Sequence, residues 1–321
     1  MGHAARDADR GADGDEGVKG VAPRRHGHCG TVAQQRLAGA TAIALCMAAT
    51  AQAQTWRTVT SSRQLRGEEA LAVNVTYAAG RLTLVPGAPG TLYRMDLRYD
   101  EDVFAPVRAF DPEGGTLRLG VRSVGRQRGA VRVSLGERRR GENLSTIDLA
   151  LTPDIPLDLT VELGAAAADV DLGGLALRSL HYRTGASQSR LTFDRPNRVP
   201  CTAMRLEAGA AAFRVSGIAN AGCRRFTFAG GVGEVVLDFS GEWRGAMDAD
   251  VRVSIGELTL RIPDDVGVAL RLNRFLASFE RAGFEKHGNM YYSANFASAR
   301  HRLTLDVTAT IGGVNVEWVH R

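Results

Sequence analysis

The chain has 321 residues, 40 basic against 35 acidic, a formal net charge of +5 and an aromatic content of only 6%. Nucleic-acid interfaces gather cations on one face with aromatics between them, and this balance speaks against that class. The length allows one large or two small folded domains.

Residues 1–21 hold Gly, Ala, Asp and Arg with almost no large apolar side chain, so they cannot bury a core. Arg24, Arg25 and Arg36 come next, then the apolar run 37–49 and Ala51-Gln52-Ala53. That order matches the basic, apolar and cleavage regions of a secretory signal. Cleavage is expected after Ala53, and the protein is expected to be secreted or periplasmic. An acidic, Gly-rich stretch ahead of a signal is out of place, so translation is expected to start later, at Val21 or Val32. The apolar run is too short to span a membrane. Leu45 before Cys46 does not suit a lipoprotein cysteine, and Arg24-Arg25 lies too far from the apolar run for twin-arginine export.

Residues 54–151 read as an N-terminal β region. After a polar lead-in, 71–85 alternates about Gly80, and Pro86-Gly87-Ala88-Pro89-Gly90 forms a turn. Segments 91–99, 115–124, 130–135 and 145–151 alternate as half-buried strands do. Between them stand Asp111-Pro112-Glu113-Gly114 and a solvated hairpin tip at Arg138-Arg139-Arg140.

Residues 152–321 repeat one short pattern. Alternating apolar residues lead to a glycine step and then to more alternation, at 157–172, 179–193, 204–217, 225–239, 250–262 and 302–318. The step glycines Gly164, Gly185, Gly209, Gly233 and Gly256 are spaced 21, 24, 24 and 23 apart. A fixed period of this size marks a solenoid, so the fold class is all-β. Residues 268–282 form one more coil with Ala277 at its step, followed by an insertion at 283–298. Period-2 order turns Leu159, Val161 and Leu163 inward, with Phe226 and Phe228, with Val251, Val253 and Ile255, and with Leu303, Leu305 and Val307. No coil could bury its apolar face alone. The glycine step lets the backbone turn or approach the next coil.

Cys201 and Cys223 are the cysteines that remain beyond the leader. In an exported protein such a pair most often forms a disulfide. The two occupy comparable places on successive coils, so stacking would bring them together. Without partner histidines they are too few for a metal site.

The sequences Gly233-Glu234-Val235-Val236-Leu237, Ile255-Gly256-Glu257-Leu258-Thr259-Leu260 and Ile311-Gly312-Gly313-Val314-Asn315-Val316-Glu317-Trp318 carry a resemblance. So does Phe279-Glu280-Arg281-Ala282-Gly283-Phe284, with a polar turn and Tyr291 after it. Together they resemble the toast-rack family, whose β-stacks end LiaF-type envelope-stress proteins and occur in secreted proteins of unknown role. The front, 64–120, resembles the N-terminal part often found with it. The resemblance implies a right-handed, single-stranded β-solenoid outside the cytoplasm. LiaF-type proteins carry transmembrane helices ahead of this domain, a pattern that 54–321 does not repeat.

Signals for chemistry are sparse. His181, His287, His301 and His320 show no metal-ligand spacing and no HExxH pattern. There is no GxSxG and no phosphate loop, so catalytic residues, metal and cofactor are all expected to be none. Asp169 with Asp171, and Asp248 with Asp250, share strand faces but fall at different offsets from their glycines, as solvated strand ends do. The candidate binding loop is the insertion, with Phe284, Tyr291, Tyr292 and Phe296, which either stack on sugars or a partner or cover the open end of the stack. The expected function is a non-enzymatic cell-envelope protein working by surface contact, linked to envelope stress or adhesion. The alternative is a polysaccharide-binding or polysaccharide-cleaving solenoid. Expected partners are an envelope protein, a cell-wall or surface glycan, or another copy of the chain.

Overall fold

The computed structural model describes residues 55–124, 144–280 and 283–320. The expected leader and cleavage site, the expected strand at 130–135 and the expected arginine tip at 138–140 lie outside the described residues. Gln52–Arg321 forms one compact unit.

Long strands dominate it: β1 (Trp56–Gln64), β2 (Leu71–Pro86), β3 (Thr91–Asp100), β4 (Phe104–Asp111), β5 (Thr116–Ser123), β6 (Thr146–Leu151), β7 (Leu157–Asp171) and β8 (Leu177–Thr192). They continue with β9 (Cys201–Ser216), β10 (Cys223–Asp238), β11 (Met247–Pro263), β12 (Val266–Phe279), β13 (Phe284–His287), β14 (Met290–Ser293) and β15 (His301–Val319). All belong to one sheet.

The link from β7 to β8 shows how a coil closes. A straight strand of β7's 15 residues would run about 50 Å. The five linking residues, 172–176, reach only about 20 Å. The chain can start β8 in parallel register beside β7 only because β7 doubles back. It bends beside Gly164 into two arms whose inner faces pack on each other. The burial pattern records this: Leu157, Leu159, Val161 and Leu163 are buried before the bend, and Ala166, Ala168 and Val170 after it. The inward parity switches from odd to even. The same switch occurs in every long coil, so strict alternation fails once per coil. It fails at Ile255, expected inside, which is 44% exposed at the bend; Val251 and Val253 before it are buried as expected.

The step glycines belong to two ladders rather than one. Gly164, Gly185, Gly209 and Gly231 sit at the bend apex, where an added Cβ would press on the preceding coil's carbonyl (Ala78, Gly164, Gly185 and Gly209 in turn). Gly233, Gly256 and Gly312 lie two residues past the apex, paired in register and at positive φ of 142°, 133° and 127°. The sequence spacing had run across from one ladder to the other.

Parallel register runs β2-β7-β8-β9-β10-β11-β15-β12. Gly80 steps β2, and Ala277 stands level with Gly312. The last two coils exchange places relative to chain order. β12 leaves β11, the β13–β14 hairpin follows, and β15 returns between β11 and β12. At the other end, β5 pairs with the first arm of β2 and β6 with the second, and β3 with β1 extends that layer. Leucine, valine and phenylalanine from both arms fill a single core. Within it Phe213 of the second arm touches Tyr182 and Phe228 of first arms, at ring-centroid distances of 5.7 and 5.4 Å.

Candidate functional site

Cys201 and Cys223 open β9 and β10 and are register partners. They form a disulfide with a Cα–Cα distance of 4.3 Å. The bond ties the mouths of two adjacent coils and lies beside a surface cavity of about 590 Å³ that also meets Arg198, Arg224, Trp243 and Arg244.

The aromatic insertion folds onto the end of the stack. β14 pairs antiparallel with the first arm of β12 at Ala269, Leu270 and Arg271, and β13 with β14. Phe284 packs on Phe279 and Trp318, and Tyr291 on Phe279 at 5.3 Å. Tyr292 packs on Phe296 at 5.0 Å and on His287. All four candidate residues are half-buried. Phe284 and Tyr291 reach the second arms of β12 and β15, whereas Tyr292 and Phe296 form a separate pair.

The carboxylates singled out in the sequence are spread along the stack. Asp169 pairs with Arg190 on the next coil, Asp171 accepts a hydrogen bond from the Gly173 amide, and Asp250 pairs with Arg252. Among the described residues no group of three or more His, Cys, Asp or Glu side chains could hold a metal ion. His181 stands 3.5 Å from Glu207, His287 3.7 Å from Glu285, and His320 bonds Asp264. Among the described residues no two histidines lie in one group that could hold a metal ion.

Two features become visible only once the coils are stacked. On the first arms, Glu207 accepts from Arg205 at 2.6 Å and Arg183 at 2.9 Å. Those guanidinium hydrogen bonds hold its carboxyl at about 2, well below the usual range. On the second arms, a shallow polar groove of about 340 Å³ crosses β2, β7, β8, β9 and β10. Its charged and amide side chains are Arg81, Asp169, Gln188, Arg190, Arg214 and Glu234, above a floor containing Ala167 and Ala212. From Asp169 to Glu234 these residues lie about one coil apart in sequence and Arg81 lies much further off on β2, so only the register reveals them as neighbours. Arg190 and Arg214 are register partners in the middle of the groove, with the acids Asp169 and Glu234 on the coils to either side.

A family model for the N-terminal domain of toast_rack, DUF2154, matches residues 50–216. The chain belongs to that family. The match covers the hairpin-rich front of this toast-rack protein, where the sequence resembled the family's N-terminal part, and runs on through its β7–β9 coils. No curated protein matches the chain. Among solved structures, it is similar to a candidate cell-adhesion protein from Clostridium sporogenes ATCC 15579, at 15% identity and a TM-score of 0.44, covering 83% of this chain and all of that one. A candidate adhesin from Bacteroides fragilis NCTC 9343 is similar at 9% identity and a TM-score of 0.34, covering 80% of this toast-rack chain and 97% of the other. Among the described residues, no helix is long and apolar enough to cross a membrane.

Proposed function

We propose that this toast-rack protein is a non-enzymatic, extracytoplasmic component of the cell envelope that acts by surface contact. The observation that carries the reading is the Cys201–Cys223 disulfide, because such bonds persist in oxidising compartments. The architecture supports it. The interior is filled by the core, and ion pairs such as Arg183–Glu207, Arg190–Asp169 and Arg252–Asp250 lie outside it along the arms. What the protein offers a partner is therefore its faces and edges. We assign it to envelope stress or adhesion, with an envelope protein or surface glycan as partner. Cell fractionation with thiol trapping tests the reading. Blocked thiols in the envelope or periplasmic fraction support it, and a reduced protein confined to the cytoplasm sinks it.

Glycan binding is a second reading, favoured by the polar groove over β2 and β7–β10. Tyr292 and Phe296 are its proposed contacts at the end of the stack. Titration with peptidoglycan, alginate and pectin fragments tests it. Arg190→Ala and Gln188→Ala should weaken binding if the groove is used, while Tyr292→Ala should if the end is. Binding unchanged in all three variants removes this reading.

A further inference from the structure

One ladder at the bends changes character along the stack. Register partners Ala79, Ala165, Ala186 and Ala210 occupy it on β2, β7, β8 and β9. On the next four coils the same ladder continues as Val232, Ile255, Ile311 and Leu276. These four are 53%, 44%, 43% and 64% exposed, and Phe275, at the apex beside Leu276, is 78% exposed. Alanine satisfies the bend on half of the coils, so the fold does not need bulk there. The large side chains add little to the core and form an apolar ridge about 15 Å long at the usual strand spacing. Contiguous exposed apolar surface of this kind marks an interaction site.

The chemistry beside the ridge names its partner. On one flank runs a trough without side chains, Gly233, Gly256 and Gly312, partly accessible and in register. Beyond the trough stand Glu234 and Glu257, exposed and without an ion-pair partner among the described residues. On the ridge's other flank stand Arg252, exposed and paired with Asp250 on its own strand, and Arg274, exposed and donating to the Ala277 carbonyl. Ridge beside trough, with acids on one side and bases on the other, is complementary to itself when turned about a two-fold axis. We propose that the ridge is a homodimer contact. Two copies meet about a two-fold axis, each seating Val232, Ile255, Ile311 and Leu276 in the glycine trough of the other. The basic flank of one copy then lies toward the acidic flank of its mate. Such an isologous contact closes on itself and does not propagate into fibres.

This goes beyond the surface-contact reading, which stands or falls on its own fractionation test. Sedimentation of the full chain from about 1 to 100 μM decides the dimer. Wild type should pass from monomer to dimer in that range, and Ile255→Ala/Ile311→Ala/Leu276→Ala should weaken dimerisation at least about tenfold. The triple variant should melt within about 5 °C of wild type, since it installs the alanine the first coils already carry. Should the triple variant misfold, Ile255→Ala alone, a copy of Ala210, is measured for a smaller shift in the same direction. A wild type monomeric throughout the range, or a dimer indifferent to these substitutions, overturns the proposal.

Discussion

At the residue scale, Glu207 shows how the ladders link coils. It joins Arg205 on its own strand to Arg183 on the neighbour. Its carboxyl titrates at about 2 instead of 4.5, so the native state binds its proton less readily than the unfolded chain. The stabilisation is complete above the unfolded value and fades as pH falls from 4.5 toward 2. Glu207→Gln should cost about 1 kcal/mol near neutral pH, because the pairs are partly solvated. Urea unfolding at pH 7 and near pH 2 checks this. A gap between variant and wild type that stays constant on acidification would assign the loss to packing instead. Gly256 makes a sharper case. Its φ is 133°, and an added Cβ would fall on the Gly233 carbonyl oxygen. Both backbone strain and register oppose Gly256→Ala, so it should cost more than about 2 kcal/mol by thermal melting. A near-neutral result would mean that the bend relaxes freely.

At the element scale, two kinds of tie hold successive coils in register. The disulfide closes a loop with a sequence separation of 22. Cys201→Ser/Cys223→Ser should lower stability by about 3 kcal/mol in the chain-entropy model. Comparing reduced wild type with the double variant checks this, because the two should melt alike. The other tie is Asn197, whose buried amide accepts from the Leu177 amide and donates to the carbonyls of Leu177 and Val199. Asn197→Ala strands those groups and should cost about 1–3 kcal/mol.

How much of this was legible follows the same division. The disulfide could be read because equivalent positions of a repeat stack. The buried rows at Leu159, Val161, Leu163, Phe226 and Phe228 could be read because alternation fixes facing within an arm. Ile255 could not, because a bend changes inward parity and strict alternation does not show where. The two glycine ladders had merged for the same reason: Gly231 and Gly233 both sit near one step. Asn197 gave no signal, since a lone asparagine in a Pro-rich link looks like any turn residue. The polar groove and the apolar ridge were hidden more deeply. Each assembles from one or two residues per coil, and the assembly depends on an order that the chain itself does not follow.

That order governs the whole molecule. A stack in which each coil touches only its neighbours behaves almost one-dimensionally, so opening begins at its ends. The two ends differ. Both arms of β2 are covered, by β5 and β6. At the far end β14 covers only residues 269–271 of β12. Among the described residues the second arm of β12 therefore has no strand paired on its outer edge, only side chains such as Tyr291 packed against it, while β15, which follows it in sequence, is internal. Hydrogen exchange should find amides at 274–278 opening first, and those of β8, β9 and β10 last, near the global unfolding free energy. β15 should exchange like β11 rather than like a chain terminus. Truncation at residue 300 sharpens the point. It removes an internal coil, so β12 and the β13–β14 hairpin should lose protection with it even though their sequence is intact. Retained protection of β12 in the truncated chain would show that β12 can dock directly on β11, and that β15's position between them is not needed to build the end of the stack.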